Sequence, residues 1–376
     1  MTSFLGWSQE GVTWALDCLY IARNIERSAV NISTQWPDMG RYQRIRTVDA
    51  HTEGEPFRVV VDGFPELRGD TLLDYRRDAK ERFDHLRKAL MWEPRGHADM
   101  YGCLLTPPVS DTADFGILFT HNEGFSPMCG HGIIAIATVV LETGMISVER
   151  GIECEKMLRI DSPAGLITAY AHWNGQRVTR VHFHNVPSFV ADLDAEVAVP
   201  GLGLVPYDLV FGGGFYAYVQ AEAVGVGLDG RSLRALVDKG MRIKHAIMEQ
   251  RQVVHPFEED LSFLYGVIFV GPAHAPGHHS RNVCIFADGE VDRCPTGTGV
   301  SGRVALHYAR GELKVGQPVV IESILGSCFT AAIHETTTFG PYDAVIARVE
   351  GRAFITGRHE FLIDPEDDLR HGFLLR

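Results

Sequence analysis

Two glycine-flanked tetrapeptides hold the residues best placed to do chemistry: Cys129-Gly130-His131-Gly132 and Thr296-Gly297-Thr298-Gly299. Each precedes a run that reads as one helix, and each has a glycine 15 residues beyond its first position, Gly144 and Gly311. A helix start offers unpaired backbone N–H groups and a partial positive charge, so two facing starts would hold one small carboxylate or phosphate between them. Glycine at 130 and 297 leaves those groups open to a ligand. At such a start a thiol ionises more readily. The dipole contributes at most about 2 kcal/mol, which would keep Cys129 near ambient pH and suit it to general-base work.

Two such starts must be positioned by two copies of one α/β unit. Ile160-Asp161-Ser162-Pro163-Ala164-Gly165 after the first and Ile321-Glu322-Ser323-Ile324-Leu325-Gly326 after the second extend the repeat. The run Ile133–Leu141 is β-branched, which favours strand, but its length, the upstream Ser126-Pro127 pair and Gly144 favour helix. Being apolar all round, that helix must be buried, with a sheet wrapped about it. Short β-rich runs at 57–61, 117–120, 166–170, 178–182, 215–219, 264–270, 283–286, 319–324 and 344–349 read as strands, with a turn at Asp62–Gly63 and a helix over 70–91. The chain is therefore α+β, richer in strand than helix.

The 376 residues allow two or three domains, and the 45% hydrophobic content supplies a sizeable core. With a net charge of −13 and no basic cluster, nucleic acid and anionic membrane are excluded as partners. Seven scattered cysteines (Cys18, Cys103, Cys129, Cys154, Cys284, Cys294 and Cys328) include no C-x-x-C pair, arguing against a disulfide framework or structural zinc and for a reducing, cytoplasmic setting. Trp7, Trp14, Leu16 and Leu19 would line a short amphipathic helix, or belong to a poorly ordered extension. His274, His278 and His279 read as a solvated loop. Gly212-Gly213-Gly214 and Gly201-Leu202-Gly203 lack the strand–helix context of a dinucleotide site. His121-Asn122-Glu123 reads as either an active-site rim or a plain loop.

His121-Asn122-Glu123-Gly124 leading to Met128-Cys129-Gly130-His131-Gly132, together with the run from Asp288 through Asp292-Arg293-Cys294-Pro295 to Gly299, resembles the proline racemase family. Asp49-Ala50-His51-Thr52-Glu53-Gly54-Glu55-Pro56 is similar to its opening, and Gly213-Gly214-Phe215-Tyr216-Ala217 to an internal strand. The resemblance runs from about residue 46 to the end. It implies a diaminopimelate-epimerase-like fold: two pseudo-symmetric domains, each a curled mixed β-sheet around a central helix. The expected division is 1–44 as an extension, 45–188 completed by 353–376 as the first domain, and 189–352 as the second. It also implies cofactor-independent proton chemistry at Cα, with neither cofactor nor metal, and a homodimer.

Racemases and epimerases of that family place a thiol at each helix start. Here the second slot holds Thr296, an alcohol too weakly acidic to exchange a proton with Cα near neutral pH. The Cys/Thr pairing resembles that of the family's members that dehydrate trans-3-hydroxy-L-proline, and this resemblance implies that Cys129 takes the Cα proton and returns it to the departing hydroxide. Thr296 would position the substrate. Its carboxylate and ring nitrogen would contact Gly130, His131, Asp292, Gly297 and Thr298, with Asp292 pairing the ring ammonium. The competing readings are a 4-hydroxyproline epimerase or proline racemase, and a catalytically silent amino-acid-binding protein. Cys294 departs from the family's usual Ser; within reach of substrate it would restore a second thiol.

Overall fold

The computed structural model describes residues 40–375; the stretch holding Trp7, Trp14, Leu16 and Leu19 lies outside them. From β1 (Gln43–Thr52) the chain runs through β2 (Glu55–Asp62), helix α1 (Leu72–Met91), β3 (Tyr101–Thr106), β4 (Phe115–His121) and β5 (Phe125–Ser126). Helix α2 (Gly130–Glu142) follows, then β6 (Glu153–Ser162), β7 (Gly165–Asn174), β8 (Val178–His184) and β9 (Ser188–Val199). The second half repeats this order. It runs β10 (Gly203–Phe211), β11 (Phe215–Gln220), α3 (Leu233–Gln250), β12 (Leu264–Gly271), β13 (Ser280–Phe286) and β14 (Glu290–Val291). Then come α4 (Gly297–Ala309), β15 (Val319–Glu322), β16 (Cys328–Phe339), β17 (Tyr342–Gly351) and β18 (Ala353–Ile363).

Pairing repeats as faithfully as order. β2–β3 and β11–β12 are parallel, β3–β4 and β12–β13 antiparallel, and β4–β6 and β13–β15 parallel. The runs β6–β7–β8 and β15–β16–β17 are antiparallel. The ninth strand of each half is exchanged: β9 lies between β10 and β17, whereas β18 pairs with β1. This is the diaminopimelate-epimerase-like architecture of two pseudo-symmetric curled sheets, each around one helix. We propose 45–188 with 353–376 and 189–352 as its two domains, preceded by 1–44.

Burial forces α2 to be a helix despite its β-branched residues. Ile133, Ile134, Ala135, Ile136, Ala137 and Val139 have no solvent exposure, and β1, β7, β8 and β18 surround the helix. The one buried hydroxyl, Thr138, donates to the Ile134 carbonyl at 2.9 Å, so no polar group is left unpaired in the apolar sheath. Gly144 and Gly311 follow the ends of α2 and α4 with φ of +78° and +69°, the left-handed geometry that ends a helix at glycine. α1 begins at a capping box in which Thr71 and Asp74 satisfy each other's backbone N–H groups.

All nine sequence-read strands are present, as is the helix within 70–91; Asp62 still belongs to β2, and Gly63 bends the chain with φ +85°. The histidine stretch is not a free loop. The buried Glu322 carboxylate accepts from the His274 and Ala275 amides, from His278 Nδ1 and from the Arg281 guanidinium, all within 2.9 Å. His274 and His279 stay exposed, while His278 is pinned. Gly212-Gly213-Gly214 makes the β10–β11 turn against α4, where a Cβ on Gly212 would lie 2.2 Å from the Thr298 carbonyl oxygen. Among the described residues no helix is long and apolar enough to cross a membrane.

Candidate active site

The starts of α2 and α4 meet. A Cβ on Gly130 would lie 2.6 Å from the Gly297 Cα, and one on Gly297 equally close to the Gly130 Cα. These glycines therefore let two helix ends touch; openness to a ligand, the role read from sequence, is secondary to that contact. Between the ends lies a cavity of about 20 Å³. Its walls hold Cys129, Gly130, His131, Asp292, Thr296, Gly297 and Thr298, the complete set of sequence-derived site residues. Its other walls were not foreseen: Tyr101, Met128, Tyr216, Tyr265, Cys284 and Phe286.

Cys129 caps α2, its sulfur accepting from the Gly132 amide at 3.3 Å and lying 3.1 Å from His131 Nδ1. Burial pushes this thiol well above its ordinary pKa, aided by Asp292 and Glu55, while the Gly132 amide opposes. The expectation of a thiol held near ambient pH is thus corrected. A dipole of at most about 2 kcal/mol is outweighed by desolvation, which moves fully buried groups by several pKa units. Burial also lowers His131 to about 4, so its imidazole is neutral and can accept the thiol's proton in a hydrogen bond. The ring packs edge-on against Phe57 and Tyr101, and Thr52 Oγ1 donates to its carbonyl at 2.8 Å.

Thr296 caps α4 in a conformation that β-branched residues avoid, φ +69°. Its Oγ1 is buried and without a hydrogen-bond partner. A strained backbone presenting an unsatisfied hydroxyl is characteristic of a binding position. Thr298 is held by the Tyr216 hydroxyl at 2.7 Å. The Asp292 carboxylate accepts from both the amide and the thiol of Cys294, at 3.2 and 3.1 Å. Cys294 thus turns toward Asp292 and is absent from the cavity wall.

The second thiol in the wall is Cys284, raised by burial and by Asp292, with the nearby Thr296 hydroxyl opposing. Register explains it: β13 leads through the turn at Ala287–Gly289 to β14 and on to the α4 start, so its side chains share that end of the sheet. The strand–turn–strand reading just before a helix start is the signal that would have found it. Tyr101, on β3, bonds the Ser126 hydroxyl and, at 3.1 Å, the Tyr265 hydroxyl. Tyr265 also walls an outer cleft of about 490 Å³ with Arg76, Lys80, His121, Glu123 and Lys244. His121 and Glu123 therefore belong to a rim that one tyrosine separates from the inner cavity.

Two further groups bear on what the site can hold. Glu55, at the start of β2, is fully buried; burial and Asp292 raise its pKa. Its Oε2 accepts from the Arg293 amide, and Oε1 has no partner. His131, Asp292 and Cys294 bring a nitrogen, an oxygen and a sulfur within 4.8 Å of one another.

Residues 47–374 match the family described as proline racemase. A trans-3-hydroxy-L-proline dehydratase of Colwellia psychrerythraea is 45% identical over 358 residues, covering 95% of this chain and 100% of the relative. One of Bacillus cereus is 48% identical over 329 residues, covering 88% and 97%. Among solved structures, a hydroxyproline epimerase from Agrobacterium vitis with bound trans-4-hydroxy-L-proline superposes with a TM-score of 0.84 at 33% identity, over 89% of this chain and 96% of that one.

Proposed function

The chain belongs to the proline racemase family, and from that premise we propose that it is a hydro-lyase converting trans-3-hydroxy-L-proline to Δ1-pyrroline-2-carboxylate. The observation that carries this reading is the asymmetry of the two helix starts: a thiol caps α2, whereas the N-cap residue of α4 is Thr296, whose alcohol makes no capping bond and whose backbone is strained. The dehydratase relatives at 45% and 48% identity support it.

In this reading the substrate carboxylate lies at the paired helix starts, whose N–H groups stabilise the charge that grows there when the Cα proton leaves. The ring ammonium pairs with Asp292, cancelling part of the negative field that keeps the Cys129 thiol protonated. His131, neutral, accepts the hydrogen bond of the thiol and orients it. In trans-3-hydroxy-L-proline the hydroxyl lies on the ring face of the Cα hydrogen. Once the Cys129 thiol has lost its proton to solvent, its thiolate takes the Cα proton, the C3–O bond breaks, and the thiol returns that proton to the departing hydroxide as water. The enamine left behind tautomerises to the imine. Thr296 positions the substrate through its buried hydroxyl. A homodimer in the cytoplasm fits this assignment, as do the six free thiols among the described residues.

Cys284 gives the epimerase reading its one specific support, a second thiol in the cavity wall beside Thr296. The deciding experiment incubates the chain with trans-3-hydroxy-L-proline and, separately, its 4-hydroxy isomer in deuterated water. Imine from the first, and no inverted, deuterated product from the second, is expected. Inversion of the 4-hydroxy isomer without imine from the 3-hydroxy isomer would overturn the assignment.

A further inference from the structure

We propose that His131, Asp292 and Cys294 form a site for one soft divalent cation, zinc by its chemistry, and that its occupancy shuts the enzyme. The three donors come from two segments far apart in sequence and are all buried, their ligand atoms lying within 4.8 Å of one another. Bonds of about 2.0–2.3 Å place the donors of a tetrahedral zinc roughly 3.3–3.8 Å apart. Cys294 Sγ and Asp292 Oδ1 already stand at 3.1 Å, close to that separation. Three protein donors leave the fourth position of such an ion to water.

Independent features point to a cation. Glu55 is fully buried, its Oε2 accepts from the amide of Arg293, the residue next to Asp292, and its Oε1 has no partner. Arg293 only partly offsets the two carboxylates, since its guanidinium is engaged by Asp99 at 2.7 Å. On binding, the Cys294 thiol releases its proton to solvent and its sulfur bonds the metal. One thiolate, one carboxylate and a neutral imidazole around a doubly charged ion make a neutral centre, the arrangement that a low-dielectric interior tolerates best. Occupancy would remove Asp292 and His131 from the substrate, so the metal would compete with it. The inhibitory half of this proposal rests on the dehydratase reading; the binding half does not.

Titrating the full chain with Co²⁺ tests binding without substrate. A thiolate-to-cobalt charge-transfer band saturating at one equivalent is expected, weakened at least tenfold in affinity by Cys294→Ser and retained by Cys129→Ser. Cys294→Ala supplies the same reading should serine disturb the packing, with circular dichroism confirming the fold. Absence of the band in the unmodified chain, or its loss in Cys129→Ser with retention in Cys294→Ser, overturns the site. With trans-3-hydroxy-L-proline as substrate, Zn²⁺ should raise the apparent KM at least tenfold at constant kcat, reversibly by chelator. Its half-inhibiting concentration should rise at least tenfold in Cys294→Ser; equal sensitivity of the two proteins overturns the inhibitory role. A cobalt band with no imine from the substrate would leave the metal site standing and remove the dehydratase reading instead.

Discussion

Cys129 is protonated at rest because burial, Asp292 and Glu55 all disfavour its thiolate. A base whose pKa is raised gains its active form as pH climbs, so kcat/KM should rise from about pH 7 to about pH 9 with no plateau near neutrality. Cys129→Ser should lower kcat by at least about a thousandfold, or 4 kcal/mol in barrier, with substrate binding still measurable by calorimetry. A flat profile from pH 6 upward would assign the base elsewhere. Cys284 calls for a different measurement. Installing a thiol opposite Cys129 by Thr296→Cys should introduce exchange of the proline Cα hydrogen with deuterium. The same exchange should survive in Thr296→Cys/Cys284→Ala if the helix-start slot alone serves the second face; its loss in the double variant would give that role to Cys284. Sequence marked Cys129 and Thr296 because a glycine-flanked helix start is a local pattern. It was silent on Cys284, a small apolar-like residue inside an ordinary buried strand, whose placement depends on sheet register.

Helix α2 was readable because turn chemistry at both its ends outweighs its β-branched composition, and its apolar circumference told of a surrounding sheet. Strands such as β6, with Glu153, Glu155 and Arg159, and β16, with its Thr336-Thr337-Thr338 run, were missed for the converse reason. One face of each meets solvent, so polar residues interrupt the apolar run. α3 was not read either, although Leu236, Ile243 and Ile247 fall at helical spacing along its buried stripe. Two element-scale outcomes follow from the packing. Ile134→Ala, inside the fully buried helix, should cost about 2–5 kcal/mol in urea unfolding. Gly297→Ala should act on the site instead. Its Cβ would meet the Gly130 backbone at 2.6 Å, so the helix starts must part. We expect kcat/KM to fall more than tenfold while the thermal midpoint falls by only a few degrees; wild-type kcat/KM would show that the contact is not needed.

The exchange of β9 and β18 governs the molecule as a whole. Residues 189–352 hold β9 through β17, which pair round into a closed ring, whereas residues 45–188 lack the strand that covers β1. Expressed alone, 189–352 should fold and stay monomeric. Residues 45–188 alone should aggregate through the bare edges of β1 and β8, and less so once a peptide spanning 353–363 covers β1, as light scattering would record. Equal behaviour of the two halves would argue against the proposed division. In the intact chain Gln43–Arg376 are one compact unit, so a single urea transition is expected by both far-ultraviolet dichroism and tryptophan fluorescence. The same strand exchange also orders events on the ribosome. The half translated first must wait for the last strand before the free edge of β1 is paired, while the later half is already complete. Cys129 belongs to the waiting half, so the nascent chain would carry no assembled thiol site until synthesis is nearly over.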